Sequence, residues 1–177
     1  FAEGHRWGYF PAGAFAWRIS DEPFFQPLAR VVDNLKLRLS YGVVGNQSGI
    51  SRYDGMQLYN FNSVNGAYIG DGRISYIKTS GEIATMGRSW ERIHNYNLGL
   101  DFHLFDSRLQ GTVELFMKKN NNMLIAVAYP GILGDKAPAS NSGKFEAKGY
   151  EGTVTWSDKI GKVNYHVGGT FTYADNK

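Results

Sequence analysis

Between Asn34 and Val43 the chain reads NLKLRLSYGV, and every second residue is apolar: Leu35, Leu37, Leu39, Tyr41 and Val43 alternate with Lys36, Arg38, Ser40 and Gly42. A period of two sends successive side chains to opposite faces of an extended strand, so this stretch has one apolar and one polar face. A sheet of such strands must cover its apolar face. In a soluble sandwich a second sheet does so; in a membrane barrel lipid does so, and the polar face looks into a lumen.

About six stretches carry this pattern. The first runs from Gly13 to Ile19, with Phe15, Trp17 and Ile19 on one face, and the second is the stretch just quoted. The third, Asn95 to Leu104, sets Tyr96, Leu98, Leu100, Phe102 and Leu104 against Asn95, Asn97, Gly99, Asp101 and His103. The fourth, Leu109 to Lys118, sets Leu109, Val113, Leu115 and Met117 against Gln110, Thr112, Glu114 and Lys118, with Phe116 breaking the polar row. The fifth, Gly149 to Trp156, opposes Tyr150, Val154 and Trp156 to Glu151, Thr153 and Thr155. The last opposes Val163, Tyr165, Val167, Phe171 and Tyr173 to Asn164, His166, Thr170 and Thr172.

Composition narrows the choice of solvent. The longest mainly apolar run, Met123 to Tyr129, is far short of the roughly 20 residues of a membrane helix. A membrane strand needs only about 9 to 11 residues with alternate ones apolar, so a mean hydropathy of -0.35 is compatible with a barrel. Aromatics at 15% and 22 glycines favour turn-rich β structure with interfacial rings, and Trp17, Tyr41, Tyr96, Trp156 and Tyr173 stand near strand ends, where such rings gather. The 19 basic residues are scattered and matched by 16 acidic ones, so no stripe for nucleic acid forms. The absence of cysteine removes disulfides and thiolate chemistry.

The connections sort by length. Tight turns are expected around Asp106-Ser107 and within Ser157 to Lys162, and the Ser20 to Asp33 link is intermediate, whereas Gly45 to Ser89 and Asn120 to Ser142 are long. In an up-and-down meander the short ones fall on one side and the long ones on the other, as in outer-membrane barrels. About ten residues at roughly 3.3 Å rise, tilted about 45°, also suit the apolar band of such a barrel. The opening FAEGHRWGYFPAG reads as the tail of a loop entering a strand and YADNK as a strand leaving the membrane, so residues 1–177 read as a partial barrel cut from something longer.

The blocks FPAGAFAWRISDEPFF, LKLRLSYGVVGNQSGI, SWERIHNYNLGLDFHLFDSRLQGTVELFMKKNNNML and NSGKFEAKGYEGTVTW resemble, in the same order, the C-terminal barrel region of SusC/RagA-type TonB-dependent outer-membrane transporters. LRLSYGVVGNQ and FDSRLQGTVELFMKK are the more specific stretches. The resemblance implies an all-β antiparallel meander within a large transmembrane barrel of about 22 strands around a plug. It implies the bacterial outer membrane, import of glycans or peptides, a SusD-like surface lipoprotein as partner, and energy from TonB through a part of the protein outside these residues. The long loop matches no motif that would name a substrate.

Arg38, Asp101, His103, Glu114, Glu151 and His166 fall on the expected inner face, either as contacts to substrate or plug or as the hydrated lining any wide lumen needs. Tyr53, Tyr59, Phe61, Tyr68 and Tyr76 punctuate the long loop, where rings serve a ligand or partner or pack the loop on itself. MLIAVAYPGIL, from Met123 to Leu133, is an apolar surface beyond the band or an upward extension of the wall. The histidines lack metal-ligand spacing, Asp101 and His103 alone are too few ligands, GAYIGDGR lacks the strand and helix a phosphate loop needs, and no cofactor is expected. No nucleophile, base and acid can be grouped, so no enzyme is expected. A soluble β-sandwich that binds carbohydrate through the tyrosine-rich loop is the alternative, and a small pore built from several copies is a third reading.

Overall fold

The alternating stretches fold as strands, and residues outside them add shorter ones. The computed structural model describes residues 3–62, 68–70, 72–73, 76–80, 83–128, 130–133 and 136–177. In chain order the strands are β1 (Ala12–Arg18), β2 (Val32–Asn46), β3 (Leu58–Asn62), β4 (Tyr68–Ile69), β5 (Gly72–Arg73), β6 (Tyr76–Ser80), β7 (Glu91–Leu104), β8 (Leu109–Ile125), β9 (Ser140–Ile160) and β10 (Val163–Asn176). Six of them form one sheet in the order β1-β2-β7-β8-β9-β10, so chain neighbours are sheet neighbours once β3 to β6 are set aside.

Two compact units emerge, one of Phe10–Val44, Ile93–Asn120 and Phe145–Lys177, the other of Phe1–Tyr9, Gly45–Arg92 and Asn121–Lys144. In the first, the antiparallel register fixes the faces, because directly opposed residues share one. Phe15 opposes Leu39 and Trp17 opposes Leu37, while Ala16 opposes Arg38 and Arg18 opposes Lys36. Tyr96, Leu98 and Leu100 oppose Met117, Leu115 and Val113; Gly99, Asp101 and His103 oppose Glu114, Thr112 and Gln110. Tyr150 and Trp156 oppose Tyr173 and Val167; Glu151, Thr153 and Ser157 oppose Thr172, Thr170 and His166. The apolar and polar sets read from the sequence therefore each continue across the paired strands.

Phe25 and Val43 are the buried apolar side chains among the described residues. The apolar face of the sheet is open: Leu39, Leu115 and Val167 are 53%, 50% and 68% exposed. A sandwich would bury these positions under a second sheet. Two bulky rings on this face lie flat over the cross-strand glycine. A Cβ on Gly111 would stand 2.5 Å from Phe102 Cζ, and Gly152 stands as close beneath Phe171. Larger residues there would displace the rings. Tyr41 and Tyr96 meet with ring centroids 5.0 Å apart, nearer the ends of β2 and β7 that lead into the long connection, and Tyr150 stacks on Tyr173 at 5.4 Å between β9 and β10. Toward the short connections Trp17 meets Phe24 and Phe105 meets Trp156, each at 6.4 Å.

The short connections are built differently from one another. The β1–β2 link contains two 3-10 turns, Ile19–Asp21 and Pro23–Leu28, the second burying Phe25. At β7–β8 Phe105, Asp106 and Ser107 all have positive φ, near +59°, +56° and +59°, an uncommon choice for residues with a Cβ. The Ser107 N–H donates to Asp33 Oδ2 at 2.7 Å and the Phe105 N–H to the Val31 carbonyl at 2.9 Å, which ties this turn to the start of β2. At β9–β10 a turn around Gly161, φ +62°, closes the hairpin.

Most strands run past the expected ends, β8 and β9 furthest, whereas β1 stops at Arg18 and Ile19, expected on its apolar face, opens the first 3-10 turn instead. Met123, Leu124 and Ile125 continue β8, so the first part of the apolar run extends the strand; Gly131–Leu133 forms a 3-10 turn with Ile132 exposed, and Tyr129 lies outside the described residues. In the second unit the long stretch after β2 holds strands that alternation did not reveal: β3 pairs with β6 from Leu58↔Ser80 to Asn62↔Tyr76, and β4 pairs with β5.

Candidate functional site

Of the six inner-face candidates, the structure brings three into contact on the polar face. Arg38 Nε and Nη2 donate to Asp101 Oδ2 and Oδ1 at 2.8 and 3.0 Å, a side-on pairing of two planar groups. Thr112, directly opposite Asp101 in the register, donates its hydroxyl to Oδ1 at 3.0 Å, and Glu114 Oε2 lies 3.5 Å from Arg38 Nη2. The network spans β2, β7 and β8.

Gly99 makes room for it. A Cβ there would lie 2.8 Å from Arg38 Nη2 and 2.9 Å from Cζ, so the guanidinium rests over the bare backbone of β7. This close approach, not its dihedral angles, is what favours glycine here, since a Cβ would make the guanidinium shift. The arrangement holds charges in fixed places on a partly exposed wall, with the Arg38, Asp101 and Glu114 side chains 37%, 24% and 21% exposed.

His103, Glu151 and His166 lie on the same face without joining the network. His103 opposes Gln110 and borders a concavity of about 460 Å³ with Arg18, Lys36 and Asp101. Glu151 borders a smaller one, about 250 Å³, with Glu114 and the hydroxyls of Thr112, Thr153, Thr170 and Thr172. His166 opposes Ser157 near the β9–β10 turn. Phe116, the residue that breaks the polar row, is on this face opposite Asn97; its Cζ would stand 2.7 Å from a Cβ on Gly149. No group of three or more His, Asp or Glu converges as a metal site among the described residues.

Among the loop aromatics, Tyr53, Tyr59 and Phe61 are exposed. Tyr68 and Tyr76 belong to β4 and β6, and their side chains lie outside the described residues.

Four polar residues of the second unit escaped the sequence reading. Arg88, 6% exposed, pairs with Asp54 at 2.7 Å and donates Nε to the Ala139 carbonyl at 3.0 Å. Asp54 also accepts the Ser51 N–H at 2.8 Å. Asn141 exchanges hydrogen bonds with the Ser89 backbone at 2.9 and 3.0 Å, and Glu91 accepts from Asn46 Nδ2 at 2.8 Å and from the Leu124 N–H at 2.7 Å. These contacts fasten the segment after β2 to the segment around β8 and β9 within that unit. The only local cue was the charged and amide residues flanking otherwise aromatic loop sequence, which does not identify partners.

The comparisons with known proteins agree with this architecture. Residues 2–177 match the family model for the TonB dependent receptor-like β-barrel. A TonB-dependent receptor of Formosa agariphila is 31% identical over 177 residues, all of this chain and 17% of that protein. TonB-dependent receptor SusC of Bacteroides thetaiotaomicron is 31% identical over 157 residues, 87% of this chain and 15% of that protein. Among solved structures, the RagAB peptide importer in its open-open state superposes with a TM-score of 0.82 at 26% identity, covering 99% of this chain and 18% of the matched chain. The RagAB peptide transporter gives 0.78 at 27% identity, covering 100% and 19%. The chain thus spans less than a fifth of the proteins it matches, and those proteins are receptors and transporters, not enzymes. One sheet of long strands in chain order, an open apolar face opposite a polar one and the match along nearly its whole length place this chain in the TonB-dependent receptor β-barrel family, among relatives of the SusC and RagA type.

Proposed function

We propose that these residues form part of the wall of an active importer in the bacterial outer membrane, of the SusC/RagA type, which takes up peptides or glycans. The apolar face then meets lipid and the polar face, with Arg38, Asp101, His103, Glu114, Glu151 and His166, lines the lumen or meets what fills it. The observation that carries this reading is the open apolar face of a single sheet, with Leu39, Leu115 and Val167 all at least half exposed. Exposed apolar area of that extent needs a partner, and lipid is the partner a barrel wall has.

Energy comes from TonB acting on another part of the full-length protein, and a SusD-like surface lipoprotein delivers the cargo. The exposed Tyr53, Tyr59 and Phe61 supply rings for that lipoprotein or for the cargo. The soluble sandwich is not favoured, because its defining second sheet is not formed by the described residues.

The test uses cells that carry the full-length protein, fed a mixed peptide digest and a mixed oligosaccharide digest. Depletion of members of either digest, lost on deletion of the gene or on collapse of the proton gradient, is the expected result. Depletion that survives both treatments would overturn the importer reading.

A further inference from the structure

Beside the Arg38 network the polar face carries a like-charge pair. Arg18 and Lys36 stand directly opposite one another across β1 and β2, on the polar face. Like charges so placed repel and destabilise a sheet unless something anionic sits between or above them. Asp101 borders the same concavity, but its charge already faces Arg38: Oδ2 accepts from Arg38 Nε, and Oδ1 from Arg38 Nη2 and Thr112. Asp21 reaches Arg18 only at 3.5 Å, as an exposed neighbour three residues on. Lys36 and His103 form no ion pair or hydrogen bond among the described residues; Lys36 meets the Asp101 charge only through space, and that charge is shared with Arg38.

The rest of the concavity is rich in donors. Asn34 brings a side-chain amide and His103 a ring nitrogen to the rim that Arg18 and Lys36 define, in a space of about 460 Å³; Gln110 also lines it, its amide already donating to the Ser107 carbonyl at 3.0 Å. That volume accommodates a carboxylate with the residue that bears it. An ammonium or a wholly apolar group would find two cations there and one carboxylate already paired with Arg38.

We propose that Arg18, Lys36 and His103 form an anion subsite on the inner wall that recognises carboxylate groups of the cargo, so that the importer favours acidic peptides or uronic-acid glycans over neutral ones. This rests on the importer reading above. Arg18 contributes a planar fork suited to a carboxylate, Lys36 a mobile point charge, and the amide of Asn34 a hydrogen bond that orients the group.

The experiment compares depletion of acidic and neutral members of the same digests by cells carrying the full-length protein. The variants are the double substitutions Arg18→Gln with Lys36→Gln and Arg18→Glu with Lys36→Glu. The wild type is expected to deplete acidic members about two- to fivefold faster than neutral ones, the range of one partly exposed charge contact. The Gln pair should abolish that preference with neutral uptake unchanged, and the Glu pair should reverse it toward cationic members, a gain that misfolding cannot produce. A wild type that imports acidic and neutral members equally, or variants that keep its preference, would overturn the subsite and leave the importer standing. A wild type that imports neither digest would overturn the importer reading and the subsite with it.

Discussion

Arg38 and Asp101 meet side-on across β2 and β7, two nitrogens to two oxygens at 2.8 and 3.0 Å, with Thr112 completing the acceptor set from β8. The contact closes a separation of 63 residues in the chain, so it locks the register of strands that the long loop leaves free to slide. Asp101→Asn in the full-length protein should cost about 1–2 kcal/mol, the range of a charge-assisted pair on a partly exposed wall. Urea titration of the refolded barrel in detergent reads this, and a double-mutant cycle with Arg38→Ala should return a coupling of about 1 kcal/mol. A coupling near zero would mean that the two side chains act independently.

Gly99 gives a second handle on the same contact. Gly99→Ala places a methyl where Arg38 Nη2 now lies and should lower stability by about 1 kcal/mol. In an Arg38→Ala background the same substitution should be nearly neutral. Equal costs in both backgrounds would show that the methyl clashes with something other than the guanidinium.

The faces of these strands were legible because a period of two leaves no freedom: once Leu37 is outward, Lys36 and Arg38 are inward, and the register carries that choice from strand to strand. Strand ends were less legible. The alternation fades at Asn120-Asn121-Asn122 and through Ser140 to Lys144, where both faces are polar or small, yet the strands continue. The hairpin of β3 and β6 was hidden because LYNFN and YIKTS are too short for periodicity to separate strand from loop. Arg88 and Asp54 are 34 residues apart, and nothing local announces such a pair.

That buried pair yields a prediction for the loop. Asp54→Ala removes the carboxylate beside a guanidinium that is 6% exposed, which typically costs about 3–5 kcal/mol where no water can replace it. The loss should be local: residues 45–89 become more sensitive to limited proteolysis while the barrel's heat resistance is unchanged. Unchanged proteolysis would show that the other contacts of Arg88, the Ala139 carbonyl among them, suffice to seat it.

The β7–β8 turn holds three consecutive residues with positive φ. Asp106→Gly relieves a Cβ from that region and should stabilise by about 0.5–1 kcal/mol, whereas Asp33→Ala removes the acceptor for the Ser107 N–H and should destabilise by about 1 kcal/mol. Both are read as shifts of the urea midpoint. Stabilisation by Asp33→Ala would contradict the tie between the turn and β2.

Lipid contact also sets a cost for charge. Leu98→Arg, on the apolar face, should destabilise insertion into vesicles by about 2–4 kcal/mol if it lies near the bilayer midplane, whereas Asn97→Arg, on the polar face, should cost under about 1 kcal/mol. Equal penalties would argue that both faces meet the same medium.

The central claim, that the apolar face of this sheet looks into lipid and the polar face away from it, is tested most directly by spin labels at Leu39 and Ser40 of β2 in the full-length protein reconstituted in a bilayer. Adjacent on the strand, they point to opposite faces and neither belongs to the Arg38 network. A label at position 39 relaxed by oxygen dissolved in the lipid, with a label at position 40 relaxed by a water-soluble nickel complex or shielded from both, is the predicted result. The reverse pattern, with position 40 in lipid and position 39 in water, would contradict it.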